Sequence, residues 1–227
     1  MRLFTTLAEV DSTNRWLIER ITHLDPWHTV RAKVQTAGRG RLTRSWFSGS
    51  ADTNLAFSMI VPVAKVDPGA ISAGVGLALQ NALSFYAQVN LRWPNDIVAQ
   101  GKKLAGVLIS QNSEDPHRVV VGIGVNVNSE DFPREIAGTA NSLALAAGHP
   151  LRVQKLWLQL WKAVRTAFSG GVPNLDADFI ARYNSVAWPF IKRSEISEEL
   201  LQFQTLLPDG RALCLSPEGP VALDMAP

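Results

Sequence analysis

Residues 28–51 contain no carboxylate but carry five cationic side chains, Arg31, Lys33, Arg39, Arg41 and Arg44. The centre of this stretch reads Gln35-Thr36-Ala37-Gly38-Arg39-Gly40-Arg41, and Trp46 closes it. Guanidinium forks and successive backbone amides fit the oxygens of carboxylate or phosphate, so the chemistry on offer is anion binding. Glycines between the arginines allow positive φ and close approach of the backbone to a ligand. A solvated basic loop has the same composition, so the rest of the chain must decide between the two.

Four further segments complement the loop. Asp11-Ser12-Thr13-Asn14 offers short oxygens that suit a helix N-cap or an uncharged polar ligand, and one segment can do both. In Arg92-Trp93-Pro94-Asn95-Asp96 a turn requires only Pro-Asn-Asp; the proline holds Trp93 extended, and the ring reads as a wall of a site. Lysines after a turn are ordinarily solvated, but Lys103 heads the apolar run Leu104-Ala105-Gly106-Val107-Leu108-Ile109. Gly106, three residues on, leaves room for that lysine to point into a ligand. Gly122 and Gly124 interrupt a strand before Asn126, which marks close approach of a ligand or of other chain. As a nucleotide signal the Gly-x-Gly is weak, because no third glycine and no helix follow.

The negative evidence narrows the chemistry. No phosphate loop and no Gly-x-Ser-x-Gly elbow occurs, the four histidines lack metal spacing, and the one cysteine is Cys214. Covalent-nucleophile and zinc mechanisms are disfavoured, which leaves positioning and charge neutralisation. A net charge of +2 gives no global field toward nucleic acid or membrane. With no secretory start and no apolar run of membrane-span length, the expectation is a cytoplasmic chain with no membrane association.

Periodicity supplies the elements that must position these residues. Strands are expected over residues 4–10, 29–34, 54–62, 89–93, 97–99, 104–110 and 118–127, with a hairpin turn at Gln100-Gly101-Lys102. Asp11-Ser12-Thr13 should cap a helix carrying Trp16, Leu17, Ile21 and Leu24 on one face. Residues 68–86 read as a largely buried helix, 153–168 as an amphipathic one, and 176–184 as another. After Trp188-Pro189 short apolar segments (203–207, 212–215, 221–223) form a β unit too small to bury much alone. The class is α/β (α+β): a mixed β-sheet covered on one face by helices, in a domain of residues 1–186, followed by a small C-terminal β domain, 187–227.

Taken in order, Asp11-Ser12-Thr13-Asn14, Gly38-Arg39-Gly40-Arg41 with Trp46-Phe47-Ser48, Trp93-Pro94-Asn95-Asp96, Lys103-Leu104-Ala105-Gly106, and Gly122 to Asn126 resemble the biotin protein ligases. The resemblance implies a catalytic domain like those of class II aminoacyl-tRNA synthetases and a small SH3-like β-barrel, here ending abruptly. It implies biotin and ATP as substrates, Mg²⁺ with the ATP, a biotinyl-adenylate intermediate, and a biotin carboxyl carrier protein domain as partner, with homodimerisation left open. Carried over residue by residue, Lys103 and Arg41 are the catalytic candidates. Ser12, Thr13, Asn14, Gln35, Gly38, Arg39, Gly40, Arg41, Lys103 and Gly106 are the biotin-binding candidates. Arg41, Trp46, Asn95, Lys103 and Asn126 are the ATP-binding ones; no metal ligands are assigned. Thr43 departs from the glycine many relatives carry there, which implies a stiffer loop. Because the first motif begins at Asp11, no DNA-binding domain and no DNA partner are expected.

Three other readings remain. A lipoate or octanoate ligase of the same fold shares the strand lysine, but its Arg-Arg…Gly-Gly-Gly…His-Asp pattern is missing. A non-catalytic biotin sensor has no need of Lys103 and Arg41. A nucleic-acid module lacks its basic stripe and exposed aromatic series.

Overall fold

The computed structural model describes residues 3–41, 44–192 and 200–225. A seven-stranded sheet in the order β1-β2-β3-β7-β6-β5-β4 forms its frame. β1 (Phe4–Val10) and β2 (Thr29–Gln35) run parallel, connected by α1 (Thr13–Ile18) and a 3-10 turn, Ile21–His23. The other pairs are antiparallel: β3 (Leu55–Pro62), then β4 (Asn90–Arg92), β5 (Asp96–Ala99), β6 (Lys102–Asn112) and β7 (Asp115–Val125). Gln100 and Gly101 take φ of 53° and 74°, the two positive values that a tight hairpin turn needs.

Side-chain alternation on β3 sorts the two faces. Phe57, Met59 and Val61 join the main core with α2 (Pro68–Leu83) and α4 (Val153–Ala167). Ile60, on the other face, belongs to a small separate cluster with Leu17, Ile21, Val30 and Val120. Helices therefore cover both faces, not one as expected, because α1 crosses over to pack on β3 and β7. The expected longer first helix stops at Ile18, and Ile21 reaches the same cluster from the 3-10 turn.

α2 is apolar nearly all round because it lies between the sheet and other elements. Asp67 caps it by accepting from Ala70 N at 2.9 Å, with Pro68 in the first turn where its missing N–H costs nothing. α4 is amphipathic as expected and buries Leu156, Trp157, Leu160 and Val164. α3 (Leu143–Ala147), which the sequence reading missed, is a short helix capped by Ser142, and α5 (Ala177–Ser185) starts from an Asp176 cap.

The C-terminal strands β8 (Phe190–Lys192), β9 (Leu200–Leu206), β10 (Ala212–Ser216) and β11 (Gly219–Leu223) form a four-stranded antiparallel sheet, which fits an SH3-like unit. As its size requires, it leans on the larger part. Leu201, Phe203, Leu206, Ala212 and Cys214 all join the main core. Gly69 and Gly210 meet so closely that a Cβ on Gly210 would lie 2.8 Å from Gly69 Cα. Burial pushes the Cys214 thiol up to about 11, which fits the reading that it is no nucleophile.

Candidate active site

The sheet face opposite α2 and α4 has a floor of small residues. Register sets Ala56, Gly124 and Gly106 side by side across β3, β7 and β6, with Ser58, Gly122 and Leu108 in the next row. Each strand glycine is matched to something lying on it. A Cβ on Gly124 would stand 2.3 Å from the Trp46 indole. One on Gly106 would meet Lys103 Cε and Nζ at 3.2 Å, and one on Gly122 would meet Asn14 Nδ2 at 2.8 Å. The glycines thus let a tryptophan, a lysine and an asparagine rest on the backbone of the sheet.

One end of this floor is polar and uncharged. Ser12 caps α1 by accepting from Arg15 N, which fixes the segment entering the helix. Thr13 donates to Gln35 Oε1 from its backbone N–H at 2.8 Å and from its hydroxyl at 3.0 Å. The same hydroxyl lies 2.9 Å from Ser58 Oγ. The Gln35 amide nitrogen reaches Gly38, where a Cβ would approach it to 2.9 Å. Ser12, Thr13, Asn14 and Ser58 are buried.

The other end is charged. Lys103 Nζ lies 2.6 Å from Asp96 Oδ1, and Arg92 donates to Asp96 Oδ2 at 2.9 Å. Burial alone would raise the Asp96 carboxyl, but Lys103 and Arg92 outweigh it and hold it below the usual carboxylate range. Arg41 is half-buried and near enough to feel Asp96; desolvation lowers its pKa against that attraction. The Lys103 ammonium also lies 5.7 Å from the centre of the Trp46 ring, within cation–π reach. Its backbone is fixed on both sides: Lys103 N–H donates to Thr139 O at 2.7 Å, and Lys103 O accepts from Asn141 N–H at 2.8 Å. Trp46 Nε1 is buried and donates to nothing among the described residues.

The basic loop is a small hairpin. Trp46 N–H donates to Gly38 O at 2.9 Å, Gly40 N–H to Arg44 O at 2.8 Å, and Arg39 bridges Ser45. Gly38 and Gly40 do not have the positive φ expected of them. Gly38 is needed for space, since a Cβ there would crowd both Gln35 and the Trp46 carbonyl. Nor do all five cations converge. Arg31 points to the opposite face, where it pairs with Asp52 and donates to Gln154 at 2.6 Å; Lys33 shares Asp52 at 3.3 Å. Arg39 is exposed, and Arg41 is the loop arginine that reaches the charged end. Thr43 lies outside the described residues.

Trp93 is not a wall of the site. It belongs to the main core, and its Nε1 donates to Gly210 O at 3.0 Å, tying the C-terminal sheet down. Asn95 braces the charged strands, donating to Val107 O at 2.8 Å. Asn126 is buried beneath them and donates to Asn141 O at 3.0 Å. The described residues contain no group of three metal-ligating side chains, and Asp96 is already engaged by two cations. Among the described residues, therefore, no resident metal cage is built here. A cavity of about 560 Å³ lined by Trp27, Pro62, His117, Arg165 and Phe168 lies at the opposite end of β3 and β7 and holds none of these groups.

Comparison with known proteins identifies the family of the chain. The model of the biotin/lipoate A/B protein ligase family matches residues 7–126, just over half the chain. The chain belongs to this family. It is 33% identical over 195 residues to the biotin–[acetyl-CoA-carboxylase] ligase of Mycobacterium tuberculosis, covering 80% of this chain and 71% of that one. It is 34% identical over 150 residues to the bifunctional ligase/repressor BirA of Bacillus spizizenii, covering 63% of this chain. That match spans 46% of the Bacillus protein, so the chain accounts for less than half of its length. Among solved structures, the Aquifex aeolicus biotin protein ligase in complex with biotin and ATP superposes with a TM-score of 0.81 at 27% identity, covering 98% of this chain and 96% of that one.

Within the family frame, two groups that the sequence reading left without a role stand out. In sequence Asp96 reads as part of a turn, yet it is the carboxylate at the centre of the cations. Ser58 was not singled out, although a hydroxyl in the middle of an apolar strand facing Gly122 was the available signal.

Proposed function

We propose that the protein is an ATP-dependent biotin protein ligase. The observation that carries this is one glycine-floored face with a neutral polar end at Thr13, Gln35 and Ser58 and a cationic end at Lys103, Arg92 and Arg41. Biotin has the same polarity, an uncharged ureido ring at one end and a carboxylate at the other.

In this reading Ser12, Thr13, Gln35 and Ser58 hold the ureido ring, while Asn14 and Gly122 set the depth of the seat. Gly38, Arg39 and Gly40 present backbone over the ring, and Gly106 lets the Lys103 stem lie beside the acyl chain. The carboxylate oxygen attacks the α-phosphorus of ATP, an O–P bond forms, and pyrophosphate leaves with its bonding electrons. Two anions must meet for this step. Like charges about 4 Å apart repel by about 4 kcal/mol at an effective dielectric of 20. Lys103 and Arg41, already in place, offset that repulsion as charge develops. Trp46 covers the adenylate and offers its indole N–H to an acceptor oxygen. Asn95 and Asn126 keep the Lys103 strand in register beneath the nucleotide. In the second step a lysine amine of a carboxylase carrier domain attacks the acyl carbon, and AMP departs. Magnesium enters with the ATP phosphates, which suits an ion that retains water and phosphate ligands.

The test supplies ATP, Mg²⁺, a purified carrier domain, and labelled biotin or labelled lipoate. Label from biotin alone on the carrier lysine is expected. Transfer of lipoate in its place would move the protein to the other branch of the family, and binding of biotin without transfer would make it a sensor.

A further inference from the structure

Asp96 is a site residue with an unusual position. Both its oxygens are taken by cations, Lys103 at 2.6 Å and Arg92 at 2.9 Å, and its side chain is only 14% exposed. A third cation, Arg41, feels the same carboxylate. An anionic substrate that needs Lys103 therefore finds it already paired. Arg92 differs from Lys103 in where it sits: it ends the edge strand β4 and grips Asp96 across the β4–β5 turn, two strands out from Gly106 in the same row.

Resting on the function proposed above, we propose that Asp96 is a built-in counter-anion that occupies Lys103 until the substrate carboxylate displaces it, and that Arg92 is the positioning residue which retains Asp96 during the exchange. Three partly buried cations without Asp96 repel one another, so the carboxylate is needed to hold the ligand-free cluster together. A carboxylate abandoned in the same place would be costly, so Lys103 is released cheaply only if a second cation stays on Asp96. The low pKa of Asp96 fits this, because it remains ionised and able to compete at neutral pH. Gly106 gives the Lys103 ammonium the room to swing, since nothing but hydrogen stands under its Cε and Nζ.

The two residues are predicted to act in opposite directions. Biotin affinity, measured by calorimetry without ATP or metal, should rise about tenfold in Asp96→Asn, which keeps the shape and removes the competitor. It should fall about tenfold in Arg92→Leu, where Asp96 loses the cation that holds it when Lys103 leaves, and return in Arg92→Lys. Biotin methyl ester, which has no carboxylate to compete, should bind all four proteins alike. Circular dichroism and thermal melts identify any variant that fails to fold, and Arg92→Lys then carries the comparison with wild type. Weaker biotin binding in both Asp96→Asn and Arg92→Leu, or parallel changes for the ester, would reduce the pair to a structural ion bridge and overturn the proposal. Wild-type protein that binds neither ligand would instead remove the reading of the site, and this inference with it.

Discussion

The two faces of the central sheet are made from the same strands but answer to different demands. On β7, Val119, Val121 and Ile123 pack into the main core against α2 and α4, while Gly122 and Gly124 on the reverse side carry no side chain at all. The core face is filled by residues such as Phe57 and Trp157 that leave no space. The other face is emptied so that Asn14, Trp46 and Lys103 can lie flat on it. Stability is concentrated on one side and chemistry on the other, so mutations on the two sides should separate cleanly.

The largest effect is expected from Trp157→Ala on the core side. The ring is fully buried and its Nε1 donates to Thr29 Oγ1 at 3.2 Å, so truncation should cost about 3–5 kcal/mol in urea denaturation. The biotin KM of the protein that remains folded should not change. On the opposite face Lys103→Ala should lose about a hundredfold in biotin-dependent ATP–pyrophosphate exchange, with a smaller loss of stability than Trp157→Ala because Arg92 still holds Asp96. Undiminished exchange would remove Lys103 from the mechanism and blur the contrast between the faces.

Arg41→Gly sharpens the picture within the site. The variant should still form adenylate but release it, so that bystander proteins such as albumin become biotinylated; retention as good as wild type would show that Arg41 is not the latch. Gly124→Ala brings a methyl group against the Trp46 indole and should cost about 1 kcal/mol, chiefly as a higher ATP KM.

Much of this division was legible in the sequence. Strand glycines at 106, 122 and 124 marked the floor, and Lys103 at the head of an apolar strand marked the charged end. The hairpin at Gln100-Gly101 set which strands face each other. Other features depended on tertiary choices. Trp93 looked like a site wall because its preceding position to proline fixes the backbone but not the layer the ring enters; the C-terminal sheet supplied its partner. In sequence Arg31 and Lys33 read as part of the basic loop, although their alternation with Val30 and Ala32 on β2 places them on the other face, next to Asp52. Asp96 could not be matched with Lys103 because a bulge between Ile97 and Val98 shifts the register and sets Asp96 opposite Gly106. Bulges of this kind leave little trace in sequence.

The smallest predicted effect is one of pH. A carboxyl whose folded pKa lies below its unfolded value stabilises the fold fully above the unfolded value, about 4, and loses that contribution as pH falls through the folded one. Asp96 is such a group. The stability difference between wild type and Asp96→Asn should therefore hold constant from neutral pH down to about 5 and shrink below about 4. A difference that persists unchanged into acid would mean that Asp96 is not ionised in the cluster.

The most direct test of the division between the faces is a crystal structure with a non-hydrolysable biotinyl-adenylate analogue. The bicyclic ring is predicted to lie against Thr13, Gln35 and Ser58, with the acyl group beside Lys103 and the Trp46 ring over the nucleotide. An analogue seated in the cavity by Trp27 and Phe168, or lying across the glycine floor with its acyl group turned away from Lys103, would contradict the account.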